Sequence, residues 1–161
     1  MFRFEKSNIL EAHVEVLVNT VNLQGVMGKG IALAFKKSFP VNYKLYKEAC
    51  NTKQIDIGKI FVTENPSYAP QSVSQRLRRA CPKYIINFPT KIEWRNPSKY
   101  EYIEKGLLSL VNWLKENKIN SIAIPPLGCG NGKLDWAIVN PMIIKYLKPF
   151  ENSLEIIFIE L

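Results

Sequence analysis

The 161 residues of the chain are 47% hydrophobic and carry 22 basic against 14 acidic side chains, a formal net charge of +8. This length suffices for one domain with a buried core and leaves no surplus for a second module. No apolar run approaches the roughly 18 residues of a membrane-spanning helix, and the first residues lack the pattern of a secretory signal. We therefore expect one soluble, cytoplasmic domain over residues 1–161, with no membrane partner.

Cysteine and histidine usage excludes the common metal and disulfide classes. Cys50, Cys81 and Cys129 are odd in number and widely spaced, and His13 is the only histidine. Reduced thiols are expected, and a site that needs neither a metal nor a cofactor. A nucleophilic pair of Cys129 with His13 is disfavoured, because the two residues are far apart and lie in different motifs. Cys129 is expected to be a small buried filler, and His13 a surface or turn residue.

The first part of the chain alternates between strand and helix patterns. Apolar residues recur with a period of two in the predicted strands and with helical spacing in the predicted helices. The predicted strands are residues 2–5, 14–18 and 58–63, and the predicted helices are residues 31–39 and 41–53. Pro40 is expected to end the first helix, because proline has no N–H to donate to the preceding turn and its ring clashes with that turn.

The alternation continues after a segment without a clear period. Residues 65–82 hold three prolines and three arginines, which predicts an exposed loop or irregular hairpin. Further strands are predicted at residues 84–88, 121–127 and 154–159, and helices at residues 99–118 and 136–147. Pro89 is expected to end its strand and Pro141 to interrupt the last helix near its start. Strands that alternate with helices predict a three-layer α/β/α domain.

Two glycine-rich loops each follow a predicted strand. The first glycine loop is residues 25–30, directly before a predicted helix, and the second glycine loop is residues 128–132. Glycines let backbone N–H groups approach a phosphate closely, and a helix N-terminus attracts anions. The pair of loops therefore predicts a pyrophosphate held between them, the alternative for the second loop being a tight turn alone.

Positive charge is concentrated in residues 71–99. This segment carries seven basic side chains against Glu93 alone, which gives +6; the seven are Arg76, Arg78, Arg79, Lys83, Lys91, Arg95 and Lys99. Such a patch attracts nucleic acid, although a solvated face in a lysine-rich chain has the same composition. Trp94 and Arg95 suit stacking with exposed bases, whereas the alternative for Trp94 is to cover the edge of the core.

Four motifs, spread in order over the chain, together resemble those of macro domains. They are Asn-Thr-Val-Asn at residues 19–22, Gly-Val-Met-Gly-Lys-Gly-Ile-Ala at 25–32, Asn-Phe-Pro-Thr-Lys at 87–91 and Pro-Pro-Leu-Gly-Cys-Gly at 125–130. The third, followed by Trp94 and Arg95, discriminates best. Among macro domains the sequence is most similar to the DarG-type DNA ADP-ribosyl glycohydrolase antitoxins, which are related to the lysine-dependent terminal ADP-ribose glycohydrolases.

The resemblance implies a three-layer α/β/α macro-domain sandwich with a mixed, mostly six-stranded sheet and ADP-ribose across the strand ends. It places Asn8 near the adenine, where many macro domains carry an aspartate, and Asn22 at the distal ribose. The implied ADP-ribose-binding residues are Asn8, Ile9, Asn19, Thr20, Asn22, Gly25, Val26, Met27, Gly28, Lys29, Gly30, Pro126, Leu127, Gly128, Cys129, Gly130, Asn131 and Gly132. The alternative role for Asn22 is a turn or helix cap.

The resemblance also implies an activity, the removal of ADP-ribosyl groups from DNA bases, with single-stranded DNA the expected form. A cognate ADP-ribosyltransferase toxin would be the partner whose modification is reversed. The residues predicted to contact nucleic acid are Arg76, Arg78, Arg79, Trp94 and Arg95. A non-catalytic ADP-ribose reader and a hydrolase of ADP-ribosyl esters on protein carboxylates are the alternatives. Full-length antitoxins of this group carry a further C-terminal region, so both a trimmed domain and a stand-alone enzyme stay open.

Lys91 is the predicted catalytic residue, with Asn22 beside it. Lys91 follows an apolar strand, and a lowered pKa would give its amine nucleophilic character; the alternative is that it pairs with a phosphate. The related terminal ADP-ribose glycohydrolases carry an aspartate in the second glycine loop, where this sequence has Asn131 and Gly132. Asp135 lies three residues further on and is expected to cap the next helix, which leaves the acid–base partner of Lys91 undefined.

Overall fold

The computed structural model describes residues 1–68 and 81–160, and a six-stranded sheet forms its centre. The strands are β1 (Phe2–Glu5), β2 (Val16–Asn22), β3 (Phe61–Glu64), β4 (Tyr84–Lys91), β5 (Ser121–Ile124) and β6 (Glu155–Ile159). Their order across the sheet is β1-β6-β5-β2-β4-β3, and every neighbouring pair is parallel except β3, which is antiparallel to β4. The predicted mixed sheet is confirmed.

Helices cover both faces of this sheet. They are α1 (Gly30–Ser38), α2 (Pro40–Asn51), α3 (Tyr100–Glu116) and α4 (Trp136–Leu147), with short 3-10 turns at Ile9–Glu11 and Lys148–Phe150. Alternation along β2 sends Val16 and Val18 into the core under α3 and α4, and Leu17 into the core under α1. The three-layer prediction is thus confirmed. Among the described residues, no helix combines the length and apolar character needed to cross a membrane.

Two strands continue further than predicted. The sequence predicted that β2 would stop at residue 18, yet the strand runs to Asn22, and β4 passes through Pro89 to Lys91. β3 pairs with β4 only as far as Asn87, so Pro89 lies beyond the paired stretch of that edge. A missing N–H is tolerated there, and the prediction that Pro89 ends the strand is wrong. Both extensions bring polar residues to the same end of the sheet.

Of two other proline predictions, that for Pro40 is confirmed and that for Pro141 is wrong. Pro40 does not only end α1; it occupies the first turn of α2, where its missing N–H has no intrahelical partner to lose. Pro141 lies inside a continuous α4, although an interruption was predicted. Ala137, whose carbonyl loses a partner to Pro141, is exposed, so water can hydrate that carbonyl.

The predicted loop at residues 65–82 is described only at its ends, since residues 69–80 lie outside the described part of the chain. Those ends are joined directly: Asn65 Nδ2 donates to the carbonyl oxygen of Pro82 at 2.9 Å, and the Asn65 N–H donates to the carbonyl of Lys83 at 2.9 Å. The segment therefore leaves and re-enters the sheet at one point.

A glycine inside α3 lets that helix approach the sheet. A Cβ at Gly106 would lie 2.3 Å from Cζ of the buried Phe88 ring on β4. Gly106→Ala is expected to lower the free energy of unfolding by about 1–3 kcal/mol through overpacking, although alanine is the better helix former. Urea denaturation measures this. Asn112→Ala, on the exposed side of α3, is the matched control and should be neutral or stabilising; an equally stable Gly106→Ala would contradict the packing.

Candidate active site

A cleft of about 910 Å³ opens at the carboxyl ends of β2 and β4, between the two glycine loops. It contains most of the predicted ligand-binding residues. Those that line it are Thr20, Asn22, Val26, Gly28, Lys29, Gly30, Pro126, Gly128, Cys129, Gly130, Asn131 and Gly132. The predicted catalytic Lys91 and the predicted nucleic-acid contacts Trp94 and Arg95 line the same cleft.

Six predicted ligand residues do not line the cleft. Ile9, Asn19, Met27 and Leu127 are buried in the interior, each at most 3% exposed. Asn19 supports the first glycine loop from below, where its Nδ2 lies 3.9 Å from the sulfur of Met27. Asn8 is exposed and caps the first 3-10 turn, its Oδ1 accepting from the Leu10 N–H at 3.0 Å; Gly25 is the sixth.

Five residues of the cleft wall were missed: Val21, Ile31, Ala32, Thr90 and Lys133. Thr90 belongs to the Asn-Phe-Pro-Thr-Lys motif, and its position next to Lys91 was the available signal. Lys133 directly follows the last glycine of the second loop. It adopts a left-handed backbone with φ of 63°, which is uncommon for a residue other than glycine. The sequence signal for Lys133 was its position directly after a glycine loop that was predicted to bind a pyrophosphate.

Asn22 shapes the first glycine loop. Its Oδ1 accepts from the N–H groups of Gln24 at 2.9 Å and Val26 at 3.3 Å, and its Nδ2 donates to the Val26 carbonyl at 2.7 Å. The hydroxyl of Tyr46 donates to the Asn22 carbonyl at 2.7 Å, and burial raises the pKa of Tyr46 far enough to keep that proton in place. Asn22 therefore caps the turn. One Nδ2 hydrogen still lacks a partner among the described residues, so its contact with a ribose remains a prediction.

The two glycine loops face each other closely. Gly30 has a φ of 57°, and a Cβ on it would lie 3.4 Å from Nδ2 of Asn131 in the second loop. α1 begins at Gly30, and within the described residues no side chain caps that helix end. The first N–H groups of α1 are thus available to an anion between the loops, as the pyrophosphate prediction requires.

Lys91, the last residue of β4, holds its amine between two carbonyl groups. Nζ donates to the carbonyl oxygen of Asn131 at 3.0 Å and to that of Trp94 at 3.3 Å. Burial lowers the pKa of Lys91, and the positive charges of Lys133 and then Lys29 lower it further. No carboxylate is among the described residues that line the cleft. The amine therefore loses its proton more readily than that of an exposed lysine.

The remaining reactive side chains near the cleft have structural roles. The Asp135 carboxylate accepts from the Ala137 N–H at 2.9 Å, which confirms its prediction as the cap of α4. Cys129 is 3% exposed, and burial, followed by the charge of Asp135, raises its thiol pKa to about 11. The Cys129 thiol is thus protonated at neutral pH, and its side chain fills space in the interior. His13 is exposed. The described residues contain no cluster of His, Cys, Asp and Glu suited to a metal ion.

Trp94 borders the cleft and does not cover the core, since it is 42% exposed. The Arg95 guanidinium lies over it, with Cζ 4.8 Å from the ring centroid. The three other predicted nucleic-acid contacts, Arg76, Arg78 and Arg79, lie outside the described residues.

Fold, loops and cleft define a family. The macro-domain family model matches residues 18–143, and the chain belongs to that family. Within it, the chain is similar to the macrodomain of Mycobacterium tuberculosis DarG, with 40% identity, a TM-score of 0.89, and coverage of 100% of this chain and 99% of that one. The resemblance noted in the sequence is confirmed.

Two further relatives are longer than this chain. It is 50% identical over 152 residues to the DNA ADP-ribosyl glycohydrolase of Thermus aquaticus, a match that covers 94% of this chain and 39% of the relative. It is 33% identical to Thermosipho africanus DarTG in complex with ADP-ribose, with a TM-score of 0.84 over 99% of this chain and 42% of that one. The chain thus spans about two fifths of the length of the DNA ADP-ribosyl glycohydrolases that it matches.

Proposed function

We propose that the chain is an ADP-ribosyl glycohydrolase that removes ADP-ribosyl groups from modified DNA bases. One observation carries this proposal: the Lys91 amine, with a lowered pKa, lies in the cleft between the glycine loops and is held there by two carbonyl groups. A module that only binds needs the loops but not such an amine. The names of the related DNA ADP-ribosyl glycohydrolases support DNA as the acceptor, and reversal of a cognate ADP-ribosyltransferase toxin follows from that.

The two loops would hold the diphosphate of ADP-ribose. The N-terminus of α1 supplies N–H donors from one side, and Lys29 and Lys133 supply positive charge at the cleft wall. Asn22 would contact the distal ribose through its remaining Nδ2 hydrogen. The anomeric carbon of that ribose would then lie near Lys91, because Lys91 is paired with Asn22 across β2 and β4.

Lys91 would act as a nucleophile. The distal ribose first opens: the bond from the anomeric carbon to the ring oxygen breaks, that oxygen takes a proton from water, and a double bond forms between the anomeric carbon and the base nitrogen. Neutral Nζ then adds to the anomeric carbon, and the bond from that carbon to the base nitrogen breaks. The base leaves with the bonding electrons and takes the proton that Nζ gives up, so a Schiff base remains. Water then adds to the same carbon, the bond to Nζ breaks, and ADP-ribose leaves with the amine regenerated. With no carboxylate among the described cleft residues, water carries the protons.

A comparison of acceptors tests the proposal. The protein is incubated with an oligonucleotide that carries one ADP-ribosylated base and, separately, with a peptide that carries ADP-ribosylated glutamate. Release of free ADP-ribose from the oligonucleotide, faster than from the peptide, is the expected result. Tight binding of the oligonucleotide without release would instead identify a reader, and faster release from the peptide would identify an ester hydrolase.

The pH dependence of turnover should respond to Lys133. Neutral Nζ is the attacking form, so turnover rises as pH increases through the lowered pKa of Lys91 and then levels off. Lys133→Gln removes one of the charges that lower this pKa, and the half-maximal point of kcat should therefore move to higher pH. Lys145→Gln, an exposed charge at the far end of α4, is the matched control and should leave the profile unchanged. An unmoved or lower half-maximal point in Lys133→Gln would contradict this role.

DNA affinity should depend on salt through the basic segment. Replacing Arg76, Arg78 and Arg79 by Gln is expected to flatten the log–log dependence of affinity on salt by roughly 0.7–0.9 for each phosphate that the protein no longer neutralises. Lys115, Lys118 and Lys145 lie at the opposite end of the sheet from the cleft, and their triple replacement is the control of equal charge. Equal slopes for the two triple variants would show that residues 76–79 do not touch DNA.

A further inference from the structure

Next to Lys91 the cleft carries an aromatic surface that the binding of a diphosphate does not use. It consists of the Trp94 indole with the Arg95 guanidinium over the ring, and the exposed side chain of Val26 lines the same cleft. Trp94 exposes 42% of its surface at this position. Large aromatic side chains that remain exposed at the mouth of a cleft commonly mark a binding surface.

The main chain under this surface is fixed in place. The Leu23 N–H donates to the Ile92 carbonyl at 3.3 Å, and the Trp94 N–H donates to Oε1 of Gln24 at 3.0 Å. The Trp94 carbonyl accepts from Nζ of Lys91 at 3.3 Å. The main chain that carries the indole is therefore anchored both to the residues just before the first glycine loop and to the proposed nucleophile. A surface ordered in advance loses little conformational entropy when it binds a ligand.

We propose that Trp94 is the stacking surface for the acceptor base, the base to which the ADP-ribose is attached. This inference rests on the proposed function. The leaving base is bonded to the carbon that Nζ attacks, so it must lie close to Nζ. Of the two residues whose carbonyl groups hold Nζ, Asn131 belongs to the second glycine loop, and the other is Trp94, whose side chain lines the same cleft. An indole accepts the face of any nucleobase, and Arg95 adds a positive charge for the adjoining phosphates.

The charge of the cleft agrees with this occupant. Lys29, Lys91, Arg95 and Lys133 line it, and the described lining residues include no carboxylate. A polyphosphate ligand that continues into a nucleic-acid strand complements such a wall, whereas the modified carboxylate of a protein is itself neither an aromatic plane nor joined to further phosphates.

Stacking on Trp94 also selects the form of the DNA. In a duplex both faces of each base are covered by neighbouring base pairs, so only an unpaired or flipped-out base can place its face on the indole. The surface therefore predicts that single-stranded modified DNA is a better substrate than the same sequence in a duplex.

Trp94→Ala tests the subsite, because it removes the ring and leaves the main-chain hydrogen bonds of residue 94 available. We expect kcat/KM on a single-stranded oligonucleotide with one ADP-ribosylated base to fall roughly 5- to 100-fold, the effect of removing one stacking partner. Trp94→Phe should restore most of this activity. The affinity for free ADP-ribose, which has no acceptor base, should stay unchanged by calorimetry. Leu108→Ala, which removes a similarly exposed apolar side chain from α3, is the control.

The outcomes separate this inference from the proposed function. Unchanged turnover in Trp94→Ala, or an equal loss of affinity for free ADP-ribose, would overturn the base subsite while the glycohydrolase stands. If the parent protein releases no ADP-ribose from the oligonucleotide, the proposed function fails. The subsite is then decided by binding in the Lys91→Ala background, where unchanged affinity of the modified oligonucleotide on adding Trp94→Ala overturns it.

Discussion

Lys91→Ala is expected to lower the release of ADP-ribose from modified DNA by about 10³-fold or more, since it removes the nucleophile itself. Affinity for ADP-ribose should stay within roughly tenfold, or about 1.4 kcal/mol, because the loops that hold the diphosphate are unaffected. Single-turnover release of ADP-ribose and calorimetry measure the two quantities. A large loss in the rate of release with little loss of affinity for ADP-ribose is expected for a residue that acts on the reacting carbon.

Lys91→Arg distinguishes nucleophilic attack from charge pairing. An arginine keeps the positive charge but stays protonated, so it should be as inactive as alanine if the amine must be neutral. Rescue by arginine would show that Lys91 only pairs with a phosphate. Turnover by Lys91→Ala at the parent rate would remove the lysine from the mechanism and leave water, positioned by the loops and Asn22, as the attacking group.

Gly130→Glu is expected to weaken ADP-ribose binding by about 100-fold or more, some 2.8 kcal/mol. Gly130 lies in the cleft wall, is exposed and has no positive φ, and a Cβ on it would meet nothing within 4 Å. A side chain therefore enters the cleft without straining the loop. Its carboxylate would repel the diphosphate and occupy part of its space. Calorimetry gives the affinity, and thermal unfolding should show an unchanged fold.

Two variants of the second glycine loop complete this test. Gly130→Ala adds no charge and little volume, so it should bind ADP-ribose nearly as the parent does. Gly128 has a φ of 71°, and a Cβ there would lie 2.7 Å from Cδ1 of Leu134; Gly128→Ala should therefore reduce stability by about 1–3 kcal/mol. Unchanged affinity in Gly130→Glu would place the diphosphate elsewhere.

The fold was largely predictable, because periodicity identifies elements whose apolar faces are strong. α4 has the predicted bounds, and the six strands occur in the predicted sequence order. The polar residues at the end of β2 do not fit an apolar strand pattern, so the extension of that strand was not predicted. Asn19, which is fully buried, stays in the strand through pairing with Asn87 on β4, a tertiary contact without a local signal. The prediction that Pro89 ends β4 was wrong for the same reason. A proline is tolerated inside β4 only beyond the stretch that pairs with β3, and the sequence does not show where that pairing stops.

The site was predictable in its parts but not in its orientations. The glycine loops, and Lys91 at a strand end, follow from composition and spacing. Which loop residues point into the core does not: Met27 and Leu127 are buried, whereas Gly130 and Asn131 are exposed in the cleft. These directions depend on the backbone dihedral angles of the turns. The sequence did not predict those angles; Lys133, for example, takes a left-handed conformation that is uncommon for a residue other than glycine.

During turnover the Lys91 amine should form a covalent bond with the distal ribose. Borohydride added during turnover of an ADP-ribosylated oligonucleotide reduces a Schiff base to a stable amine, and peptide mass spectrometry then locates the adduct. One adduct is expected, on the peptide that contains Lys91, and none in Lys91→Ala. An adduct on Lys29 or Lys133 instead, or rapid release of ADP-ribose without any trapped protein, would contradict it.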